Sequence, residues 1–196
     1  MDGDRPGLLE RAPWATRRKL DVGEYYRMAE AGVLGPDERV ELIEGEIVAM
    51  VPIGSGHGGT VTGLNNRLVI AAAGRALVTV QSPLRLSDRS EPEPDLMLVK
   101  PRADAYRAAH PTAADVLLLI EVSESSLRFD REVKLPLYAR HGVPEVWIVN
   151  RPGEVVEVHR DPADEAWRTT RRAGRGTVLE PALLPGLRIA VDDVLG

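Results

Sequence analysis

Apolar and polar positions along this chain switch repeatedly between the period of a helix and that of a strand. "DVGEYYRMAEAG" carries a helical period, with Asp21 placed to cap it and Gly32 to stop it. "RVELIEGEIVAM" sets Val40, Leu42 and Ile47 in two apolar runs around Glu44-Gly45, which predicts a β-hairpin. A glycine-rich stretch, "GSGHGG", precedes "TVTGLNNRLVIAAAG", a predicted helix ending at Gly74. "ALVTVQ" and "LRLSD" read as strands, and another follows over 95–99. "DVLLLIEVS" is an unbroken apolar run of the fully buried kind, and "FDREVKLPLYARHG" returns to a helical pattern. "PEVWIVN" and "EVVEVHR" form a strand pair around Pro152-Gly153, and weaker strands are expected near 166–170 and 187–191. The sum is an α/β domain with one central, partly antiparallel mixed sheet flanked by helices. Residues 1–19, rich in Pro, Gly and charge, predict a loose arm ahead of a single domain over 20–196.

Composition narrows the setting. A chain of 196 residues with 43% hydrophobic content can bury a real core. It has no cysteine, which rules out a disulfide framework and a thiolate metal site and points to a reducing, cytoplasmic setting. Apolar runs such as "VLLLI" are too short to span a bilayer, so no membrane partner is expected. A net charge of −5 argues against a protein that coats nucleic acid without specificity. Of 25 basic residues only three are lysines, Lys19, Lys100 and Lys134. Where arginine is the default cation, a retained lysine invites a chemical reason, because its compact amine can position water or move a proton.

Three constellations carry candidate chemistry. Asp95 and Glu121 each sit at the end of an apolar run, where an unpaired carboxylate loses water at a cost of several kcal/mol. Parity on the second run places Leu117, Leu119, Glu121 and Ser123 on one face. Two carboxylates on neighbouring strands, with a backbone carbonyl beside one, make an all-oxygen site of the kind magnesium or manganese prefers. The alternative is that each pairs with an arginine at the sheet rim. Lys134 lies on the following helix, with Asp130 and Tyr138 on its face at i, i+4 spacing. It forms either a surface ion pair with Asp130 or an amine aimed back at Glu121, and Pro136 is expected to kink the helix just beyond it. "GSGHGG" satisfies G-x-G-x-x-G, but the window from Arg75 to Arg85 lacks the acid that a dinucleotide's ribose requires. His57 within it stands at a helix start and could face an anion. Among Glu41, Glu44 and Glu46 of the hairpin, one is expected to turn inward.

"EYYRMAEAG", "RVELIEGEIVAM", His57, "PEPDLMLVK", "IEVSESS" and "DREVKLPLYARHGVPEVWIVN", in this order, resemble the bacterial Uma family over roughly 20–160. That resemblance implies a restriction-endonuclease-like core of the PD-(D/E)XK kind, with an added N-terminal helix and hairpin. It implies that Pro94-Asp95 is the "PD" element and Glu121 the second acid. The motif's usual lysine position holds Ser123, and Lys134 matches a lysine moved to the next helix. Glu41 resembles an extra N-terminal acid near the metal, and His57 matches a further polar position. The implied activity is Mg²⁺-dependent (or Mn²⁺-dependent) hydrolysis of DNA phosphodiesters, with Asp95, Glu121 and the Val122 carbonyl on the metal and a homodimer as the working form. The alternative is a catalytically silent domain that binds nucleic acid or a protein partner. Glu91 and Glu93 are expected at the rim or as weak candidates for the outer surroundings of the metal.

Overall fold

The computed structural model describes residues 14–196, so most of the predicted N-terminal arm lies outside the described residues. Helix α1 (Val22–Glu30) begins where expected, since Asp21 and Glu24 form a reciprocal capping box. Strands β1 (Val40–Ile43) and β2 (Glu46–Ala49) form the hairpin as a separate two-stranded sheet. Its turn puts both Glu44 and Gly45 at positive φ, the two-residue geometry that matches strand twist. At Gly45 a Cβ would meet Lys19 Cβ at 2.6 Å and the Leu20 carbonyl at 2.9 Å, so this position admits glycine only.

The central sheet has six strands in the order β3 (Leu77–Val80), β4 (Leu96–Val99), β5 (Val116–Ser123), β6 (Glu145–Asn150), β7 (Val155–Ala163) and β8 (Ala166–Ala173). Every neighbouring pair is antiparallel except β5 and β6, which run parallel. All residues of β4, β5 and β6 are buried, because both faces of the sheet are covered. On one face Leu96, Leu98, Ile120 and Trp147 pack against helix α2 (Ser55–Ala72) and the C-terminal helix α5 (Val191–Leu195). On the other, Met97, Leu119, Val146 and Ile148 pack against Leu135 and Tyr138. Strands β9 (Val178–Leu179) and β10 (Ile189–Ala190) form a small pair beside α5.

Several expectations need correction. "LRLSD" is not a strand. Its amides make single bonds, Leu84 to the Pro92 carbonyl and Leu86 to Ser90, because prolines at 83, 92 and 94 cannot donate to a continuous ladder. The helix expected after "GSGHGG" starts inside it, since α2 begins at Ser55 and takes in Gly56, His57, Gly58 and Gly59. The weak strand near 166–170 extends to Ala173, and that near 187–191 shrinks to two residues before α5. Leu117 belongs to the layer opposite Leu119, because a bulge between Leu98 and Val99 shifts the β4–β5 register.

Between β5 and β6 the chain is helical as α3 (Leu127–Phe129), a π turn over Asp130–Lys134, and α4 (Leu135–Arg140). Pro136 explains the widened turn. It has no N–H to donate, and in a regular helix its ring would strike the carbonyl four residues back. The expected irregularity therefore falls before the proline and includes Lys134.

Candidate active site

Strand register builds the first part of the site. Leu96 lies opposite Ile120 in the antiparallel β4–β5 pair, so one step further Asp95 faces Glu121 across the same ladder. The Asp95 amide reaches Glu121 Oε2 at 3.3 Å, and the Val122 amide donates to Asp95 Oδ2 at 2.9 Å. The prolines before Asp95 hold the approach extended, and the Glu91 amide binds the Leu42 carbonyl of β1. That bridge brings the hairpin to the sheet and delivers Glu41 to the same place. Glu41 Oε2 accepts the Glu93 amide at 3.1 Å.

The helical run after β5 completes it. Asp130, Lys134 and Tyr138 all turn toward the sheet and are buried, so the surface ion pair does not form. Tyr138 donates to Glu121 Oε1 at 2.6 Å. Lys134 Nζ lies 3.2 Å from Glu41 Oε2 and 3.3 Å from Glu121 Oε1. Asp130 accepts hydroxyl bonds from Ser123 and Ser126, each at 2.7 Å. From α2, His57 Nε2 is 2.9 Å from Asp95 Oδ2. Among the described residues neither Asp95 nor Glu121 has an arginine partner; they pair with His57 and Lys134, which removes the rim-arginine alternative.

The structure thus brings all five predicted side chains, Glu41, His57, Asp95, Glu121 and Lys134, to one cleft of about 320 Å³. Glu41 is the inward-facing acid of the hairpin, at 2% exposure, while Glu44 and Glu46 face solvent. Glu93 lines the cleft, but Glu91 is not a rim residue. It is buried and held by Tyr26 at 2.6 Å and by Arg85. Sequence reasoning missed Gln81, whose Nε2 reaches Asp95 Oδ1 at 3.3 Å from the end of β3. Its only signal was a polar residue ending the apolar run "ALVTV". Arg39 and the segment 50–53 also line the cleft without having been singled out.

Electrostatics set the protonation states. Burial pushes the Glu121 carboxyl up to about 8, with Asp130 and Asp95 adding to it and Lys134 opposing it. Burial alone would lower the Lys134 amine, but Glu121, Glu41 and Asp130 outweigh it and raise it above its ordinary value. The hydrogen bond to Asp95 raises His57. A carboxyl raised on folding contributes stability that is complete below its unfolded value of about 4.3 and is lost as pH rises through about 8. The wild-type melting temperature is therefore expected to fall between about pH 5 and about pH 8 by a component that Glu121→Gln removes, as thermal melts of both proteins across that range will show.

Which oxygens remain unused decides what the site could hold. Glu121 Oε1 and Asp95 Oδ2 are each engaged twice, whereas Glu121 Oε2 and Asp95 Oδ1 have only long contacts of 3.3 Å. Glu41, Glu93, Asp95, Glu121, Glu124 and Asp130 line the cleft against Arg39 and Lys134 as fixed cations. An oxygen-only donor set with excess negative charge fits Mg²⁺ or Mn²⁺ in kind. Among the described residues no three His, Asp or Glu side chains form a ready-made metal cluster.

Comparison with known proteins places the chain. No curated protein matches it. A crystal structure from Anabaena variabilis, described as "a putative nuclease belonging to DUF820", superposes with a TM-score of 0.69. The match covers 90% of this chain and 97% of that one at 14% identity, which establishes a shared fold. No helix among the described residues is long and apolar enough to cross a membrane. Residues 22–192 match the family described as "Uma2: Putative restriction endonuclease", and the chain belongs to that family.

Proposed function

We propose that the protein is a Mg²⁺-dependent endonuclease that hydrolyses DNA phosphodiester bonds, with Mn²⁺ able to substitute. The observation that carries this reading is the single cleft onto which Glu41, Asp95, Glu121 and Lys134 open. Asp95, Glu121 and the Val122 carbonyl would hold the cation. When bound, it supplies Lewis-acid polarisation of the phosphate and a lower pKa for a coordinated water.

The chain's own residues divide the remaining work. Because its carboxylate neighbours hold the Lys134 proton firmly, this amine serves as a permanent cation and N–H donor. It offsets charge on the phosphate and orients water instead of abstracting a proton. Glu41 anchors that ammonium from the hairpin side. His57 fixes the Asp95 carboxylate by its hydrogen bond. A homodimer would present two such sites to one substrate.

One observation favours the silent-domain alternative: Ser123, in place of the motif's lysine, spends its hydroxyl on Asp130. Circular DNA, single-stranded and supercoiled, incubated with wild type and Asp95→Asn, separates the readings. Wild type is expected to cut only with Mg²⁺ or Mn²⁺, and Asp95→Asn to cut at least ~100-fold more slowly. Equal cleavage by both proteins would sink the proposal, and binding without cleavage would establish the alternative.

A further inference from the structure

The cleft has a second wall that the chemistry above leaves unused. The connection from β2 to α2 runs Met50-Val51-Pro52-Ile53 along it, and Phe129 joins it from α3. Val51 is 54% exposed and Ile53 41%. Apolar side chains left in water beside a cluster of carboxylates mark a ligand with an apolar face of its own. The same cleft is poor in free cations. Lys134 is committed to Glu41 and Glu121, so among the described residues Arg39 is the one guanidinium lining it.

Duplex DNA suits neither feature. It carries a charge every ~1.7 Å and is held chiefly by lysine and arginine on phosphate. Its bases are stacked on one another, so an apolar wall beside the phosphate would find nothing to cover. An unpaired nucleotide suits both, since it brings few charges and a free base face. At about 320 Å³ the cleft is sized for one such unit, near the lower end of small-ligand pockets.

We infer that the Met50–Ile53 lip receives the base of an unpaired nucleotide, and that the substrate of the site is single-stranded DNA. This rests on the nuclease reading and names the substrate class of that site. Arg39 meets the phosphate, and Val51, Pro52 and Ile53 lie along the base. The lip then selects for strand state, while the carboxylates act on whatever phosphodiester is delivered to them.

The test reads binding separately from cleavage. A short oligonucleotide with one fluorescent adenine analogue is offered to the full chain as a single strand and paired with its complement. The single strand is expected to bind at least ~10-fold more tightly than the duplex, with a change in analogue emission. Joint substitution of Val51→Ser and Ile53→Ser is expected to weaken single-strand binding by about tenfold. Both side chains are exposed, so the melting temperature should be unchanged, and a lowered one is corrected for by the fraction folded. Equal affinity for duplex, no effect of the double substitution, or no binding to either oligonucleotide overturns the inference. Faster cutting of duplex overturns it and leaves the nuclease reading standing. Lip-dependent binding with no cutting of any DNA upholds it and overturns the nuclease reading.

Discussion

Lys134→Met is expected to abolish hydrolysis and to destabilise the fold by about 3 kcal/mol. The reason is that the amine is the nearest cation to two carboxylates that are themselves almost fully buried, Glu41 at 2% exposure and Glu121 at 3%. Removing one partner of a buried ion pair leaves the other charge without water or a counterion, and that penalty exceeds the net worth of the intact pair. For a chain of this size the loss corresponds to roughly 8 °C in melting temperature. The cost should be smaller at acid pH, where Glu121 can take up a proton, and larger above the Glu121 value of about 8. On the proposed reading activity should fall at least ~100-fold, since the cation assigned to the phosphate is gone. Melts at both pH extremes, with cleavage measured well below the melting point, check the two effects separately. A Lys134→Met protein as stable as wild type would contradict the buried contacts described above.

Glu121→Gln is expected to separate stability from activity in the opposite way. Three carboxylates, Glu41, Glu121 and Asp130, surround one ammonium, so the cluster already has more negative charge than it can balance. The amide keeps the shape of the protonated acid and an oxygen for the Tyr138 hydroxyl, which now binds Glu121 Oε1 at 2.6 Å. Stability at neutral pH should therefore change by no more than ~1 kcal/mol, and above the wild-type Glu121 value the variant should be the more stable protein. On the proposed reading cleavage should nevertheless fall at least ~100-fold, because Glu121 Oε2, engaged only by a contact of 3.3 Å, is an oxygen free to face the cation. On the proposed reading Mg²⁺ is expected to raise the melting temperature of the wild type and to leave that of the variant unchanged. A variant that keeps both the Mg²⁺ shift and full activity would remove Glu121 from the metal site.

Lys134 reaches Glu121 of β5 from a helical turn, and on that turn the local sequence is both informative and ambiguous. The i, i+4 spacing of Asp130, Lys134 and Tyr138 was readable, but which way the face pointed was not. Helix periodicity specifies which side chains travel together, and only packing says whether they meet water or a sheet. Pro136 announced a disturbance; the π turn it requires ends at Lys134 and keeps that residue buried. Glu91 shows the limit in the other direction. Among alternating prolines and acids it reads as a rim residue; its partners are Arg85, close by in the same irregular connection, and Tyr26, which only the tertiary fold brings from helix α1.

The sequence by itself determined the elements that have a period or a punctuation mark. These are the hairpin around Glu44-Gly45, the buried runs of β4, β5 and β6, the capped α1, and the isolation of Asp95 and Glu121 at the ends of oily strands. Such features are local, because a carboxylate beside four apolar neighbours demands a partner whatever the rest of the chain does. Only the tertiary structure decided who the partners were. The one-step register that sets Asp95 opposite Glu121, the Leu42–Glu91 bridge that carries Glu41 in, and the lip that faces them are pairings between distant segments. They follow from how whole surfaces exclude water together, and no single stretch of residues encodes that.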